Sequence, residues 1–205
     1  MKKTWVIFLL IFLAAAALCG CSGKRAAANA RLSASVAGEV NQAAVLNMLD
    51  SYAARDFISG EVSSENISAI LECGAWAPSA RNGQPWHFTV LSDLQLSKKI
   101  ISNMIDGNVI MIVSAPAAEI SRGSAVLDCG LATQNIYLAA QALGLGSRIY
   151  TGPIADINKN HKADLGIPSG YDAVALVRIG HIEPPADGVS SASGRKELSS
   201  LVNYR

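Results

Sequence analysis

Two stretches of the sequence are apolar at nearly every position, and they limit the fold more than any other feature. Residues 108–116 read NVIMIVSAP, and residues 171–181 read YDAVALVRIGH. A strand with one face in water alternates apolar and polar residues, whereas a strand that is apolar at consecutive positions is covered on both faces. Each stretch therefore predicts a strand inside a sheet that carries helices on both sides.

Helical patterns fill much of the remaining sequence. The longest covers residues 123–144 and ends at Gly144 and Gly146, residues that favour helix termination. Its predicted apolar stripe consists of Val126, Cys129, Ile136, Ala139, Ala140 and Leu143. Other helices are expected over residues 41–57, from Ser63 or Ser64 to Pro78, over 92–105 with Ser92 or Asp93 as the cap, and over 153–166 from Pro153. Short strands are expected at 86–92 and 147–150, so the order predicts a layered α/β or α+β sandwich.

The first residues have the pattern of an export signal. Lys2 and Lys3 precede an apolar run from Trp5 to Leu18, which is shorter than the roughly 20 residues of a membrane-spanning helix. The tetrad Leu-Cys-Gly-Cys that ends at Cys21 resembles a bacterial lipobox, which implies cleavage before Cys21 and lipidation of its thiol. An ordinary signal peptide, or a membrane anchor that ends in cysteine, is the alternative.

This pattern predicts three regions of the chain. They are a signal peptide at residues 1–20, a flexible alanine- and serine-rich tether at 21–42, and a single domain at 43–205. A lipid on Cys21 would hold the protein in the bacterial cell envelope, on the extracytoplasmic side of a membrane.

Charge and cysteine usage exclude several functions. The chain has 17 basic and 16 acidic residues and no basic patch, so we expect no nucleic-acid partner. The spacing of the four cysteines excludes the usual zinc patterns, and no metal site is expected. Outside the cytoplasm Cys73 and Cys129 could form a disulfide, but both lie in helical, small-residue contexts that suit buried free thiols equally well.

The run APSARNGQPWHF at residues 77–88 connects a predicted helix to a predicted strand and contains no acid. It offers Ser79, Arg81, Asn82 and Gln84 as side-chain donors, on a backbone that turns at its prolines and glycine. Such a loop suits a planar ligand with polar edges, or an anion. A tight crossover whose polar groups bond one another is the alternative, and for His87 a structural role beside Trp86 is expected.

Three motifs, in order, resemble the FMN-dependent nitroreductase family. The first is the loop itself, which matches the pattern Ala-Pro-Ser-x-x-Asn-x-Gln-Pro-Trp-x-Phe from Ala77 to Phe88. The second is DCGLATQNIYLAAQALGLGS at residues 128–147, which is similar to the long helix of that family. The third is LGIPSGYDAVALVRIGH at residues 165–181, which is similar to its final helix, turn and strand. The resemblance covers roughly Met48 to Arg195.

The resemblance implies an α+β fold of three layers, α-β-α, with a central, mainly antiparallel sheet. It also implies a homodimer that encloses two FMN molecules at its interface. Backbone N–H groups of Thr151 and Gly152 would approach flavin N5, and no catalytic side chain is implied because the flavin performs the transfer. The implied cofactor-binding residues are Arg55, Pro78, Ser79, Ala80, Asn82, Gln84, Tyr150, Thr151, Gly152, Ser193 and Arg195.

The sequence departs from the family where the FMN phosphate is held. The usual pattern Arg-Arg-Ser-x-Arg-x-Phe is SYAARDF here, so Ser51 and Tyr52 replace two arginines while Arg55 remains. In the C-terminal Lys-x-Arg pattern, Ser193 replaces the lysine while Arg195 remains. Each lost cation removes a charge-assisted bond of about 1.5–3 kcal/mol. Either the chain no longer binds flavin, or another group holds the phosphate.

Residues 187–193, DGVSSAS, offer such a group, because they resemble the motif that bacterial flavin transferases modify. The resemblance implies a covalent link between the FMN phosphate and Ser193. Ser191 departs from that motif, which usually has glycine there, and a solvated Ser/Gly tail is the alternative.

The resemblance implies a flavoprotein oxidoreductase that passes electrons through FMN to a small planar acceptor, such as a nitroaromatic or a quinone, and the export signal predicts that it acts outside the cytoplasm. No glycine-rich dinucleotide fingerprint follows a predicted strand. Because nicotinamide cofactors are cytoplasmic, the export signal predicts a membrane redox partner or another flavoprotein as the electron donor. The alternative is a degenerate, non-catalytic surface lipoprotein that uses the same fold for binding.

Overall fold

The computed structural model describes residues 42–183 and 195–205. These belong to two compact units, one ending at Leu49 and the other spanning Asp50–Arg205. The predicted signal peptide, Cys21, nearly all of the tether, and Ser193 with its motif lie outside the described residues.

Five strands and six helices form the described chain. The helices are α1 (Gln42–Asp50), α2 (Ser64–Ala75), α3 (Leu94–Ile100), α4 (Ala117–Ile120), α5 (Ser124–Ala142) and α6 (Ile154–Asp156), which continues into a π-helical turn, Ile157–His161. The strands are β1 (Phe57–Ile58), β2 (His87–Leu91), β3 (Val109–Pro116), β4 (Gly146–Tyr150) and β5 (Tyr171–Ile182). Single 3₁₀ turns occupy Ala80–Asn82 and Leu198–Ser200. None of the helices described is both long and apolar enough to cross a membrane.

Strand β5 is the centre of the sheet. It pairs with β3 from Tyr171 to Ile179 and with β4 from Leu176 to Gly180. Its last residues pair with β1, and β2 pairs with the far edge of β3. Every pair is antiparallel, as the resemblance implied.

The two faces of the sheet are covered by separate cores, which makes three layers. Along β3, Val109, Met111 and Val113 face the core that contains Ile70 of α2 and Ile136 of α5. The alternate residues Ile110 and Ile112 face a second core that contains Ile101, Ile157 and Leu165. All five β3 residues are at most 3% exposed, so the expectation of a strand buried on both faces is confirmed. The predicted α+β, α-β-α fold is confirmed with it.

The predicted helix caps are confirmed, but several predicted helix lengths are wrong. The Ser63 hydroxyl accepts the Asn66 N–H at 3.2 Å, and the Asp93 carboxylate accepts the Leu96 N–H at 2.6 Å. The helix expected over 41–57 ends at Asp50, because Phe57 pairs with Ile182 in the sheet. The helices expected over 92–105 and 153–166 are likewise shorter, at Leu94–Ile100 and Ile154–Asp156.

The apolar stripe predicted for α5 is partly wrong. Val126 and Leu143 are each 44% exposed, whereas the buried face is centred on Ala125, Cys129 and Ala132. The buried face of α5 also includes Asp128, a carboxylate that apolar periodicity does not detect. The prediction is right for Cys129, Ile136 and Ala140, which are buried, and wrong for Val126 and Leu143.

Cys73 and Cys129 are unpaired. Cys129 is buried and Cys73 is exposed, so only one of the two matches the expected buried free thiol. Burial raises the pKa of the Cys129 thiol to about 12, with the Asp128 carboxylate adding to the effect.

The segment before α2 is fixed to the segment before β3 by two glycines. The Gly60 N–H donates to the Asp106 carbonyl, and the Val62 N–H donates to the Gly107 carbonyl, both at 3.3 Å. Gly107 has a φ of +78°, and a Cβ atom there would collide with the Gly60 carbonyl. The crossing therefore requires glycine at 107 for both conformation and space.

We expect Gly107→Ala to lower the free energy of unfolding by about 2 kcal/mol or more, because left-handed strain and a backbone collision add together. Gly123→Ala is the matched control: its φ is +90°, but its Cβ would meet nothing within 4 Å. The control should lose only about 1 kcal/mol. Denaturant titration of both variants measures the difference, and equal losses would contradict the collision.

Candidate active site

The polar loop between α2 and β2 folds back on itself through short hydrogen bonds. The Ser79 hydroxyl accepts the Gln84 N–H at 3.0 Å, and the Ser79 carbonyl accepts the Asn82 N–H at 3.0 Å. The Gln84 side chain donates to the Asn82 carbonyl at 3.2 Å. These contacts are those of the tight crossover given above as the alternative, yet the side chains of Arg81, Asn82 and Gln84 remain exposed. The loop therefore presents polar groups outward while its backbone is satisfied within.

Three residues of this loop adopt left-handed backbone conformations although none is glycine. The φ angles are +55° at Arg81, +55° at Asn82 and +45° at Gln84. Each such residue costs on the order of 1–3 kcal/mol, and such strain concentrates at ligand sites. The surrounding structure must hold the loop in this shape.

Helix α5 provides that support. The buried Asp128 carboxylate accepts the Ala80 N–H at 3.0 Å. About two helical turns further along α5, the Asn135 side chain donates to the Cys73 carbonyl of α2 at 2.9 Å. Both residues belong to the second motif, but the sequence assigned them no role. One sign in the sequence could have identified Asp128: it is an acidic residue between Ala125 and Ala132, two small residues that are buried.

The second candidate segment follows strand β4. Tyr150 is half-buried against the core of α3 and α6, whereas Thr151 and Gly152 are exposed. A Cβ atom at Gly152 would meet nothing within 4 Å, so open space lies against this backbone. Among the described residues, no acceptor bonds the Gly152 N–H. This N–H is available to a ligand.

The register of the sheet brings the loop and this segment to the same end of the sheet. His87 pairs with Ser114, Ser114 pairs with Ala173, and Tyr150 pairs with Leu176. Strands β3 and β5 lie between them, which gives a separation of three strand spacings, or about 14 Å. The structure therefore brings to one sheet end two of the four segments expected to contact the flavin.

The third segment contains Arg55 and lies at the other end of β4. The Ala54 N–H donates to the Ser147 carbonyl at 3.0 Å, which holds this segment beside the first residues of that strand. Arg55 itself is exposed. Arg195, also exposed, begins the described C-terminal tail. Ser193, the predicted attachment point, lies outside the described residues.

His87 and candidate metal ligands are the remaining features of the site. The exposed His87 ring meets the Tyr171 ring edge to face, with centroids 6.0 Å apart. The His87 carbonyl accepts the Ser114 hydroxyl at 3.2 Å. In the part of the chain that the structure describes, no three His, Cys, Asp or Glu side chains cluster as metal ligands.

Comparison with known proteins identifies the family of this chain. The sequence profile of the nitroreductase family matches residues 51–110 and 102–181. The chain belongs to the nitroreductase family. It is 34% identical over 145 residues to a protein of Archaeoglobus fulgidus named "Putative NADH dehydrogenase/NAD(P)H nitroreductase", an alignment that covers 65% of this chain and 82% of the relative.

Solved structures agree with this assignment. A nitroreductase with bound FMN from Desulfitobacterium hafniense superposes with a TM-score of 0.65 at 22% identity, over 79% of this chain and 98% of the other. An FMN-dependent nitroreductase from Clostridium difficile gives a TM-score of 0.60 at 25% identity, over 77% and 98% of the two chains. The expected fold and the expected enzyme class, an oxidoreductase of nitroreductase type, are confirmed.

We expect Asp128→Ala to release the strained loop, because the Ala80 N–H loses its acceptor. The free energy of unfolding should fall by about 2 kcal/mol, as for a hydrogen bond to a charged group. Asp128→Asn, which keeps an oxygen at this position, is the control. Hydrogen exchange at the Ala80 amide reports the loop directly. Unchanged protection in Asp128→Ala would show that the loop holds its shape without α5.

Proposed function

We propose that this protein is an FMN-dependent oxidoreductase of nitroreductase type, anchored through a lipid on Cys21 at the extracytoplasmic side of a bacterial membrane. The observation that supports flavin binding most directly is the Gly152 N–H, which no acceptor among the described residues bonds. A Cβ atom at Gly152 would meet open space, and this segment lies at the same end of the sheet as a strained, outward-facing polar loop. Solved nitroreductases with bound FMN share this fold.

The chain's own groups suit the flavin ring. Bound FMN supplies the hydride or electron transfer. The N–H groups of Thr151 and Gly152 would donate to flavin N5 and stabilise negative charge that develops there. Asn82 and Gln84, both exposed, would bond the polar edges of the ring while Pro78, Ser79 and Ala80 line it. Tyr150 would fix the direction of the backbone that enters this segment.

At the phosphate end, the remaining cations are Arg55 and Arg195. We propose that a phosphoester to the Ser193 hydroxyl replaces the lost cations, formed by a flavin transferase. Two features of the sequence support this: the export signal, which places the chain where such transferases act, and the position of Ser193 at the phosphate-binding tail pattern. A covalent link also prevents loss of the cofactor to the medium.

A second copy of the chain completes the proposed site. Trp76, at the end of α2, is 81% exposed, and Leu127 on α5 is 67% exposed. Both lie on the helices that flank the polar loop, and exposed apolar side chains of this size favour burial in an interface. A homodimer through these helices would cover them and enclose a flat cofactor from both faces.

The electron donor follows from the proposed location. The relatives' names refer to NADH or NAD(P)H, which are cytoplasmic cofactors. On the outer side of a membrane, a membrane redox partner would reduce the flavin instead. The acceptor would be a small planar molecule, such as a nitroaromatic or a quinone, that fits against the exposed ring.

The purified protein is expected to be a yellow dimer that takes up FMN and, once reduced, reduces a quinone or nitroaromatic. Absorbance spectroscopy and sedimentation measure the flavin and the assembly. Arg55→Ala should weaken FMN binding about tenfold or more through loss of one charge-assisted bond. Arg122→Ala, an exposed arginine in the turn before α5, is the control. A colourless protein that takes up no added FMN would support the non-catalytic alternative.

Co-expression with a flavin transferase should leave flavin fluorescence on the denatured protein in a gel. Ser193→Ala should abolish this signal, because no hydroxyl remains to carry the phosphoester. Ser199→Ala, in the same tail but outside the motif, should retain it. Release of all flavin on denaturation of the unmutated protein would contradict covalent attachment, as would a fluorescent Ser193→Ala band.

A further inference from the structure

A buried arginine in the central strand has no acidic partner. Arg178 of β5 is 1% exposed. Its Nε and Nη2 donate to the Asn108 side-chain oxygen at 3.0 and 2.7 Å, and its Nη1 donates to the carbonyl and side-chain oxygens of Asn103 at 3.1 and 3.3 Å. Within residues 42–183 and 195–205, no carboxylate forms an ion pair with it.

On one side, Arg178 supports the segment that carries Arg55. The guanidinium lies over the Phe57 ring, 4.1 Å from its centroid. Asn108, which holds the guanidinium, also donates to the Ile58 carbonyl at 3.1 Å. Residues 54–58, at the proposed phosphate end, therefore rest on this cation through a ring and through one amide.

On the other side, Arg178 lies near the strand that leads to Thr151 and Gly152. Tyr150 pairs with Leu176, which is two residues before Arg178 and therefore on the same face of the sheet. Burial lowers the pKa of Arg178, and the nearby Tyr150 acts in the opposite direction. Arg148 is directly opposite Arg178 in the sheet register, and its guanidinium lies 5.0 Å from the centroid of the Tyr150 ring. Two arginines therefore lie near one tyrosine, immediately before the proposed flavin N5 donors.

This arrangement lowers the stability of the folded chain. A buried cation without a counter-ion is unfavourable, and like charges directly opposite in a sheet repel each other. Burial lowers the pKa of Arg178, although an arginine remains charged at physiological pH. On the same face of the sheet, Leu176 and the register partner Ile110 are apolar and buried, so packing alone would be served by another aliphatic side chain at this position.

We propose that Arg178 is a positioning residue of the flavin site. It sets the distance between the phosphate-end segment and the Tyr150–Gly152 segment, and it places a fixed positive charge behind the latter. This inference rests on the proposed function, because it concerns the same flavin. In a low-dielectric interior, this positive charge would favour electron uptake by a flavin held at the Thr151–Gly152 segment, so the midpoint potential of that flavin would be less negative than without the charge.

The test uses protein produced without a flavin transferase and then loaded with FMN. Tyr150→Phe removes only the hydroxyl near Arg178, and Arg178→Lys keeps the charge but loses the forked contacts. Arg178→Met loses both. Tyr137→Phe is the matched control, since Tyr137 lies on α5, on the opposite face of the sheet. Three quantities are measured: the FMN dissociation constant, the midpoint potential of the FMN-loaded protein and the melting temperature of the FMN-free protein.

The expected result differs between variants. Tyr150→Phe should weaken FMN binding by about fivefold, as for one hydrogen bond, with a melting temperature close to that of Tyr137→Phe. Arg178→Lys should weaken binding but keep the midpoint potential near that of the unmutated protein. Arg178→Met should shift the potential to more negative values. If it does not fold, the first two variants decide the matter.

Two outcomes would overturn the inference. If the unmutated protein binds FMN while Tyr150→Phe and Arg178→Lys bind it equally well at the same potential, Arg178 has no role at the flavin and the proposed function stands. If both variants lose affinity only in proportion to a lower melting temperature, Arg178 is a stabilising residue alone. If the unmutated protein binds no FMN, the proposed function fails and this inference fails with it.

Discussion

Strand β5 determines where every part of the site lies. It pairs with β3 along one edge and with β4 along the other, and its last residues pair with β1. The polar loop, the Gly152 segment and the Arg55 segment each adjoin a strand whose register is fixed, directly or through β3, by β5. Because a shift of one residue would exchange the two faces of a strand that is buried on both, this register is strongly specified.

The parts of the molecule that follow from local pattern could be predicted. The buried strands β3 and β5 and the caps at Ser63 and Asp93 follow from residue type at fixed spacing. The boundary of α1 could not be predicted, because Phe57 belongs to the sheet through a contact with Ile182, 125 positions along the chain, and no local signal reports it. The second error concerns α5, where Val126 and Leu143 were expected on the buried face, whereas Ala125 and Ala132 are buried there.

The candidate site shows the same division. The motifs located the loop and the β4 end, because they are contiguous in sequence. The residues that hold those segments in place, Asp128 and Arg178, were not found as functional candidates, because each acts across a long sequence separation. An acid or an arginine inside an apolar pattern is the only local sign of such a role. Asp128 bonds the Ala80 N–H of the polar loop, and Arg178 contacts Phe57, two residues from Arg55.

The contact between Asp128 and the Ala80 N–H has a consequence for assembly. Leu127 and Val126 immediately precede Asp128 and are exposed on the same helix. A second chain that packs on these residues would also restrict the turn of α5 that supports the loop. Association of two chains and retention of a ligand by the loop would then be thermodynamically linked, so each would strengthen the other. In that case dilution alone, without any chemical change, would weaken the non-covalent contacts between the loop and the ligand.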